Sequence, residues 1–514
     1  MDPTTAVRAT SAAARPIPGF GGDVFLPGTP AYDEKRVQYA ASSYPERMRP
    51  YLIAVPRRDS DDVPAAIRFA KANKKYLVAR SGGHQYSGLS SGREDTILLS
   101  MERFKHLEIK TAGGKTVARV GAGMLLTDVA AEFKRHGVTI PHGECPQVAI
   151  GGHAQSGGYG HLIRSYGLAL DHVVEFKIYT AEGELRTVRR PTTQDRSSLF
   201  WGVLGGGPGS FGVVTEFTFE CVRDTDHRYS WGSGRFYVYE RRLFNAAMNE
   251  VKDWTEKIAS KDPRLPPDAD MSMSIIDAKF FGKPVYVLEL VNGNRDGRDD
   301  GGLNRQLLEQ TRSNILRGAS WWNRNGIPFR GFVGNRPLSF MSDAFVRRRD
   351  FTKEGREYDE PYKKRLNCTK RPLTTAFVGQ FVDLVHRALS TRHVNLVVQI
   401  LMGGGAHATP DPMPSVSAVC HRDITLGIVF DCFYKPKGLQ DAVRLQEEMN
   451  CLLGAFSGDQ EVRMLWGSFG NTNLRNESVR RCYYDDDTWR DLQALKKAVD
   501  GGDLFHTEFT VQLP

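Results

Sequence analysis

The chain has 514 residues, of which 40% are hydrophobic and 25% are charged, and its formal net charge is +9. This length exceeds what one hydrophobic core organises, so we expect at least two domains. No run approaches the roughly eighteen apolar residues of a membrane span, and the basic residues are scattered, without a zinc spacing or a helix-turn-helix pattern. We therefore expect no membrane, nucleic-acid or metal partner, but a solvated basic surface that steers an anionic cofactor or substrate.

Seven cysteines, odd in number and widely spaced, argue against a disulfide framework and leave at least one thiol for another task. Residues 1–22 are small and polar and lack the apolar centre of a signal peptide. The sequence as it stands therefore predicts a cytoplasmic protein, unless a leader has been removed.

The first half of the chain begins with a predicted β-α-β unit. Residues 51–56 form a buried strand, a helix begins near Ser60 with Asp61 or Asp62 as its N-cap, and residues 75–80 form the next strand. A glycine-rich loop follows at the carboxyl end of that strand, where α/β sheets bind ligands. Further predicted elements are strands at 96–100 and 116–121, a helix at 124–136, a hairpin at 173–188 and a strand at 212–219.

From about residue 225 the pattern changes to strands separated by long helices. This alternation predicts one antiparallel sheet with helices packed on one face, and the chain as a whole is predicted to be α+β. Residues 335–372 are basic and aromatic and predict a loop with some helix. The predicted strands are 234–239, 271–277, 284–291, 394–402 and 424–434, and the predicted helices are 243–260, 303–316, 373–390, 439–455 and 486–499.

Three glycine-dense segments, at 80–92, 141–160 and 205–212, carry the strongest functional signal. The second, PHGECPQVAIGGHAQSGGYG, has six glycines in twenty residues, which is too many for a helix interior. Such loops let backbone N–H groups approach a phosphate closely. Three of them indicate one extended ligand, most simply a dinucleotide. Residues 207–212 spell GxGxxG, but they lead into a strand where the Rossmann fingerprint needs a helix.

The segments RSGGHQYSGLSSG and GECPQVAIGGHAQSGGYG closely resemble two motifs of the flavin oxidases similar to berberine bridge enzyme, in the vanillyl-alcohol oxidase group. LFWGVLGGGPGSFGVVTEF resembles a third motif of that family. The resemblance is strong over residues 45–220 and weaker beyond them. It implies an α+β fold with a two-part FAD-binding domain, at 1–225 and 459–514, and a substrate domain at 226–458 with an antiparallel sheet backed by helices.

The resemblance also implies FAD held by two covalent bonds, from His84 to the flavin 8α-methyl group and from Cys145 to its C6. Val148 matches the position that the family associates with access of dioxygen to the flavin, which favours an oxidase. His153 matches the motif histidine, which either bonds the flavin or ribose or is structural. The other residues predicted to bind the cofactor are Arg80, then Ser81, Gly82, Gly83, Gln85 and Gly88 around the pyrophosphate, Gly151, Gly152, Gly157, Gly158 and Gly160 near the ring and ribose, and Val213 and Val214 at the adenine end.

The catalytic residues do not follow directly from the motifs, because the chain departs from the family's YxNYxDL-like segment. Trp466 and Phe469 stand where the family has two tyrosines, so aromatic surface remains but both phenol hydroxyls are missing. Asp431, in a strand of Val, Phe and Cys, is a candidate base if it faces the cavity; otherwise it pairs with a lysine or arginine at the strand edge. Candidates nearer the flavin loops are Tyr86, Tyr159, Tyr166 and His161.

The resemblance thus implies an FAD-dependent oxidase that takes hydride from a small molecule such as an alcohol, a sugar or a secondary metabolite. Dioxygen is the expected acceptor and hydrogen peroxide the expected product. The alternative is a cyclase that keeps the flavin without net redox turnover, which the loss of both tyrosines favours.

Overall fold

The structure is a computed structural model that describes residues 16–38, 48–85, 87–280, 283–295, 297, 302–347, 362–410, 416–458, 462–463 and 473–514. Its helices and sheets confirm the predicted α+β class. No helix within these ranges is long and apolar enough to cross a bilayer.

The first half of the chain builds two small sheets and, apart from them, one pair of antiparallel two-residue strands, the seventh and eleventh in chain order. Its strands are β1 (Asp23–Phe25), β2 (Leu52–Val55), β3 (Tyr76–Arg80), β4 (Thr96–Ser100), β5 (Leu107–Ala112), β6 (Lys115–Gly121), β7 (Val138–Thr139), β8 (Val173–Tyr179), β9 (Leu185–Arg189), β10 (Val213–Glu220) and β11 (Val222–Arg223). One sheet has the order β1-β2-β4-β3, and in it β4 runs parallel to both β2 and β3. The other is antiparallel, with the order β5-β6-β10-β8-β9, and it contains the predicted hairpin as β8 and β9.

Short helices connect these strands. They are α1 (Pro30–Arg36), α2 (Asp62–Ala72), α3 (Leu126–Arg135), α4 (Ile150–Gln155), α5 (Ile163–Tyr166) and α6 (Leu199–Val203). Asp61 occupies the N-cap position of α2, but in the described structure its side chain makes no capping bond. Asp62 is instead fully buried and accepts hydrogen bonds from the backbone N–H groups of Gly21 and Arg57 at 2.7 and 2.8 Å. Its carboxylate ties the helix start to two preceding loops rather than capping the helix.

The second half forms one seven-stranded antiparallel sheet. Its strands are β12 (Trp231–Val238), β13 (Ala269–Phe280), β14 (Lys283–Asn292), β15 (Ile327–Asn335), β16 (Tyr362–Thr369), β17 (Val394–Met402) and β18 (Leu426–Tyr434). Their order is β15-β12-β14-β13-β17-β18-β16. The prediction of a loop with some helix at 335–372 was partly wrong, because β16 lies there as an edge strand. Its sequence, YKKRLNCT, is strongly charged, as edge strands often are, and this hid it from a hydrophobic pattern.

Side-chain alternation gives this sheet two different faces. Met271, Met273 and Ile275 of β13 belong to a large apolar cluster with the helices behind the sheet, whereas Ser272 and Ser274 point to the other face. The helices of the second half are α7 (Arg241–Ala259), α8 (Leu303–Leu316), α9 (Leu338–Arg347), α10 (Thr375–Leu389), α11 (Leu439–Ser457), α12 (Glu477–Arg481) and α13 (Asp486–Val499). The face with Ser272 and Ser274, called the polar face below although it also carries Val287 and Val291, meets the first half of the chain.

The last forty residues return to the first half. The buried Lys496 of α13 donates to the carbonyl oxygen of Ser210 at 2.9 Å, and the N–H of Leu77 in β3 donates to the carbonyl of Leu504 at 2.9 Å. Residues 505–507 and 509–510 consequently lie beside the loop that follows β3.

Candidate functional site

A long cleft separates the first half of the chain from the polar face of the seven-stranded sheet. Its empty volume is about 1760 Å³, including the open mouth. The three glycine-rich segments, the strands β13, β14, β17 and β18, and the C-terminal segment all contribute to its walls. The predicted site residues that line it are Arg80, Ser81, Gly82, Gly83, His84, Gln85, Cys145, Val148, Gly152, His153, Tyr159, Gly160, Val214 and Asp431.

The first two glycine-rich segments pack backbone against backbone. A Cβ atom on Gly82 would lie 2.8 Å from both the amide nitrogen of Ala149 and the carbonyl oxygen of Gln147, so only glycine fits there. This close approach brings the loop of His84 against the loop of Cys145. Both residues consequently stand on the wall of one cleft, although sixty-one positions separate them in the sequence.

Arg80 reaches the cleft wall, but its guanidinium is bonded elsewhere. It donates to the carbonyl oxygens of Lys35 and Arg36 and to the hydroxyl of Ser91 at 3.1 Å. Burial lowers the pKa of Arg80 to about 10, against the opposing charge of Glu102. Its observed contacts therefore hold the loop in shape and do not point to a phosphate.

Gly88 also has a structural environment. It is left-handed, with φ +82°, and begins the short 3-10 turn at Leu89–Ser91, and its N–H donates to the carbonyl of Gln85 at 3.1 Å. The structure places it outside the wall of the cleft.

The second glycine-rich segment contains a helix, so the prediction against a helix interior was wrong. Helix α4 includes Gly151 and Gly152. A Cβ on Gly151 would lie 2.2 Å from Oγ of Ser81, which explains this glycine by packing against the first loop. Gly152 lies on the cleft wall with open space in front of its Cβ position, so a ligand can approach its backbone.

The glycines after α4 are required by neighbouring protein atoms. Gly157 and Gly158 have φ angles of +118° and +78°, which side-chain-bearing residues rarely adopt, and both lie away from the cleft wall. A Cβ on Gly160 would meet the carbonyl oxygen of His142 at 1.8 Å. Of these three glycines, only Gly160 lies on the cleft wall.

His153 bonds the loop that carries Cys145. Its Nε2 accepts the backbone N–H of Gly143 at 3.2 Å, so the ring is neutral with its proton on Nδ1. Burial, together with the nearby His142 and His84, lowers the pKa of His153 to about 3. The sequence left open whether His153 bonds the cofactor or has a structural role, and the hydrogen bond to Gly143 is a structural contact. The ring also lies on the cleft wall.

The loop between α3 and α4 holds the next two candidates. The N–H of Val148 donates to the carbonyl of Cys145 at 3.2 Å, which closes a turn and places both side chains at the cleft. The seven cysteines all lie within the described residues, and none of them forms a disulfide. Cys145 is partly exposed to the cleft, as a residue that reacts with a bound ligand must be.

Val213 and Val214 cannot both face a ligand, because successive strand residues point to opposite sides. Val214 lies on the cleft wall, whereas Val213 is completely buried in the core around β2, β3 and β4. The structure therefore leaves Val214 as the residue of the pair that is available at the cleft.

The sheet contributes a row of buried polar side chains to the cleft. Asp431 is 2% exposed, and Glu289, which our sequence reasoning missed, is 1% exposed. The hydroxyl of Ser272 donates to Oε2 of Glu289 at 2.8 Å, and Nε2 of Gln399 donates to Oε1 of Glu144, beside Cys145. Glu289 is the single acidic residue in the apolar strand PVYVLELV. The same kind of observation, one acidic residue in an apolar strand, singled out Asp431, so the sequence could have predicted Glu289 as well.

The other base candidates have different positions. Tyr159 is 2% exposed and lines the cleft. The hydroxyl of Tyr166 donates to the carbonyl of Gly293 at 3.0 Å, and His161 packs on Phe345 with 4.0 Å between ring centroids. Neither Tyr166 nor His161 is on the cleft wall. Trp466, Phe469 and Tyr86 lie outside the described residues.

The cleft fits a dinucleotide. Gly152 and Gly209 present backbone with open space on its wall, and the packed loops add partly exposed backbone and hydroxyl groups. Within the described ranges, no group of three His, Cys, Asp or Glu side chains is placed to hold a metal ion.

Comparisons with known proteins support FAD as the cofactor of this chain. A family model described as an FAD binding domain matches residues 51–189. The chain is 35% identical over 490 residues to FAD-linked oxidoreductase dpmaF of Metarhizium anisopliae, and this alignment covers 90% of this chain and 84% of that protein. It is 39% identical over 203 residues to Berberine bridge enzyme-like 12 of Arabidopsis thaliana, which covers 38% of this chain and only 36% of that protein.

A solved structure of glucooligosaccharide oxidase from Acremonium strictum, described as containing 6-S-cysteinyl, 8α-N1-histidyl FAD, has the same fold. Its TM-score is 0.72 at 19% identity, with 96% of this chain and 97% of that chain covered. The match to an FAD binding domain and the 35% identity to an FAD-linked oxidoreductase over 90% of this chain identify the class as FAD-linked oxidoreductase. The chain belongs to the family of FAD-linked oxidoreductases similar to berberine bridge enzyme.

Proposed function

We propose that this protein is an oxidase that removes hydride from a small organic substrate, with dioxygen as the final acceptor. The substrate is an alcohol, a sugar or a secondary metabolite. The observation that carries the proposal is the meeting of His84 and Cys145 on one cleft wall, on loops that pack backbone to backbone. That arrangement suits a flavin attached to both residues, as the name of the glucooligosaccharide oxidase structure states for that protein.

The residues of the chain have separate tasks in this proposal. His84 and Cys145 hold the isoalloxazine ring, while Gly82, Gly83 and Gly152 leave room for backbone contacts to FAD. FAD held by these residues would supply a hydride acceptor that dioxygen can reoxidise, with hydrogen peroxide as the product. Val148 is small enough to leave a path for dioxygen beside Cys145.

Asp431 is the proposed base. It lies in the buried polar row of the sheet, opposite the flavin-binding loops, and takes the O–H or N–H proton of the substrate during oxidation. Tyr159, also on the cleft wall, orients the substrate through its phenol ring and hydroxyl.

The covalent attachment is tested by intact mass measured under denaturing conditions. The wild type should carry the mass of one FAD, and the single variants His84→Ala and Cys145→Ala should each keep FAD through the remaining bond. The double variant should release all FAD on denaturation. Complete release of FAD from the wild type would exclude covalent attachment, and release from one single variant would show that the other residue forms no bond.

The cyclase alternative is favoured by one sequence observation, the absence of both family tyrosines at Trp466 and Phe469. Anaerobic mixing with a panel of candidate substrates separates the two functions. An oxidase bleaches the flavin absorbance near 450 nm in a single reduction with a rate constant of about 1–1000 per second, whereas a cyclase converts substrate with the absorbance unchanged.

A further inference from the structure

An exposed pair of tryptophans lies near the outer edge of the seven-stranded sheet. Trp321 and Trp322 form a short 3-10 turn between α8 and β15, and they are 76% and 50% exposed. Their rings meet edge to face with 5.6 Å between centroids. Ile327, which begins the edge strand β15, is 59% exposed. Side chains of this kind are usually buried, so a group of them at one surface indicates a partner.

The turn that carries the two rings is firmly anchored. Asn323 is 1% exposed, and its side chain accepts the N–H of Val238 at 2.9 Å. The same side chain donates to the carbonyl of Val238 and to Oε1 of Glu240, both at 2.8 Å. A buried and well-bonded amide thus fixes the turn with both tryptophan rings outward.

The surroundings of the tryptophans are basic. Residues 310–342 contain five arginines and no aspartate or glutamate. Arg324 is exposed and forms no ion pair within the described ranges, and Glu240, which the turn contacts through Asn323, is itself paired with Arg242 at 2.9 Å. The ammonium group of Lys283 lies 5.8 Å from the ring centroid of Trp322. The tryptophan patch, defined as Trp321, Trp322, Arg324, Ile327 and Lys283, therefore combines apolar rings with uncompensated positive charge.

We infer that the tryptophan patch docks the enzyme onto the surface of an anionic lipid bilayer. Tryptophan rings are favoured at the headgroup level of a bilayer, and basic side chains are attracted by anionic lipids. A second copy of this chain would instead bring like charges together at the patch. This contact lies on the outside of the bilayer and needs no spanning segment, so it departs from the sequence-based expectation of no membrane partner. It does not depend on the proposed oxidase reaction.

Vesicle sedimentation with the full-length, FAD-loaded protein tests the inference. Vesicles of phosphatidylcholine alone are compared with vesicles that contain about 30 mol% phosphatidylserine, an anionic lipid content typical of a phosphatidylserine-rich membrane. The wild type should sediment with the anionic vesicles, and added salt should weaken its binding. The double variant W321A/W322A should bind at least about tenfold more weakly, and Arg324→Gln about fivefold more weakly.

Leu303→Ala is the matched control, because Leu303 is 79% exposed on α8 and outside the tryptophan patch; its binding should equal that of the wild type. Flavin content and thermal melting show that each variant is folded. A wild type that stays in the supernatant, or W321A/W322A binding like the wild type, would overturn the inference. If the wild type binds heparin without vesicles and W321A/W322A loses that binding as well, the patch binds a soluble polyanion and the inference is overturned. If the wild type is a dimer and W321A/W322A is a monomer, the patch is a self-association surface and the inference is likewise overturned.

Discussion

In the folded protein, Nε2 of His153 accepts the backbone N–H of Gly143 at 3.2 Å. Protonation of the imidazole would put an N–H group at Nε2, facing the N–H of Gly143, and so remove this hydrogen bond. The folded protein therefore keeps this ring neutral, with a pKa of about 3 against an ordinary value of 6.5. Between pH 3 and pH 6.5 this histidine is protonated in the unfolded chain but not in the folded chain. Its contribution to the free energy of unfolding is therefore complete above pH 6.5 and is lost as the pH falls towards 3. The slope is at most about 1.4 kcal/mol per pH unit.

His153→Asn should reduce this acid sensitivity, because an amide oxygen accepts the same N–H and does not titrate. Between pH 6.5 and 5 we expect the variant to lose roughly 1.5 kcal/mol less unfolding free energy than the wild type. Denaturant titrations at both pH values measure the difference. His136→Asn, at a histidine on the surface, is the control and should match the wild type. Equal losses in His153→Asn and the wild type would show that this ring does not set the acid response.

Asp431→Asn keeps the size of the side chain and removes its ability to take a proton. If Asp431 is the base, we expect kcat to fall by about 100-fold or more, with the flavin still attached. Ser274→Ala, on the same face of the sheet, should lower kcat by less than about tenfold and serves as the control.

The strand register places Lys364 of β16 opposite Asp431, so the alternative of an ion pair is also tested. If Asp431 serves only as an ion-pair partner, Asp431→Asn would lower the free energy of unfolding. Its kcat would stay within a factor of roughly two or three of the wild-type value, which corresponds to the free-energy change of about 0.5 kcal/mol that surface substitutions commonly cause. Measuring both quantities on the same preparation separates the two roles.

At the scale of elements, the C-terminal helix α13 is fixed by a buried cation. Lys496 is fully buried, pairs with Asp500 at 2.6 Å and donates to the carbonyls of Ser210 and Phe505. Lys496→Met would leave the buried carboxylate of Asp500 without its cation, so we expect a loss of about 3–5 kcal/mol in unfolding free energy. Urea titration measures this loss. Lys497→Met changes an exposed neighbour and should stay within about 0.5 kcal/mol of the wild type; similar losses in both variants would contradict the assignment.

The sequence predicted elements well where a hydrophobic pattern defined them. The strand predicted at 394–402 and the helices at 303–316 and 486–499 have the bounds of β17, α8 and α13. The edge strand β16 was missed because its charged residues carry no such pattern. The helix α4 was missed because its glycines are explained only by tertiary contacts, such as the one between Gly151 and Ser81.

The candidate site shows the same division. The glycine motifs identified the two loops, and the family resemblance that they carry implied that His84 and Cys145 share one ligand; both residues line the cleft. Asp431 lies on the cleft face of β18, whereas its neighbours Phe430 and Cys432 belong to the apolar cluster behind the sheet, so the condition set for a base is met. The direction of the Arg80 guanidinium depends on the carbonyls of α1, which lie more than forty positions away in sequence, and no local pattern contains that information.

At the scale of the whole molecule, two buried arginines connect the first half to the sheet. Arg422 forms a two-pronged ion pair with Asp171, at 2.7 and 2.9 Å. Arg164 of α5 donates to the carbonyl oxygens of Ala269, Gly403 and Pro266 at 2.7, 2.5 and 3.0 Å. Because the cleft lies between these halves, its shape depends on both contacts.

Arg164→Met should therefore loosen the two halves from each other. Three carbonyl oxygens lose a charged donor, and at about 1.5–2 kcal/mol each the coupling should fall by about 4–6 kcal/mol. We expect calorimetry of the flavin-loaded protein to show two transitions where the wild type shows one, with the sheet half (residues 226–458) melting first and the flavin absorbance changing at the second transition. Arg189→Met, which removes an exposed ion pair with Glu175, should leave the trace unchanged. A single unshifted transition in Arg164→Met would mean that the halves are held together without this arginine.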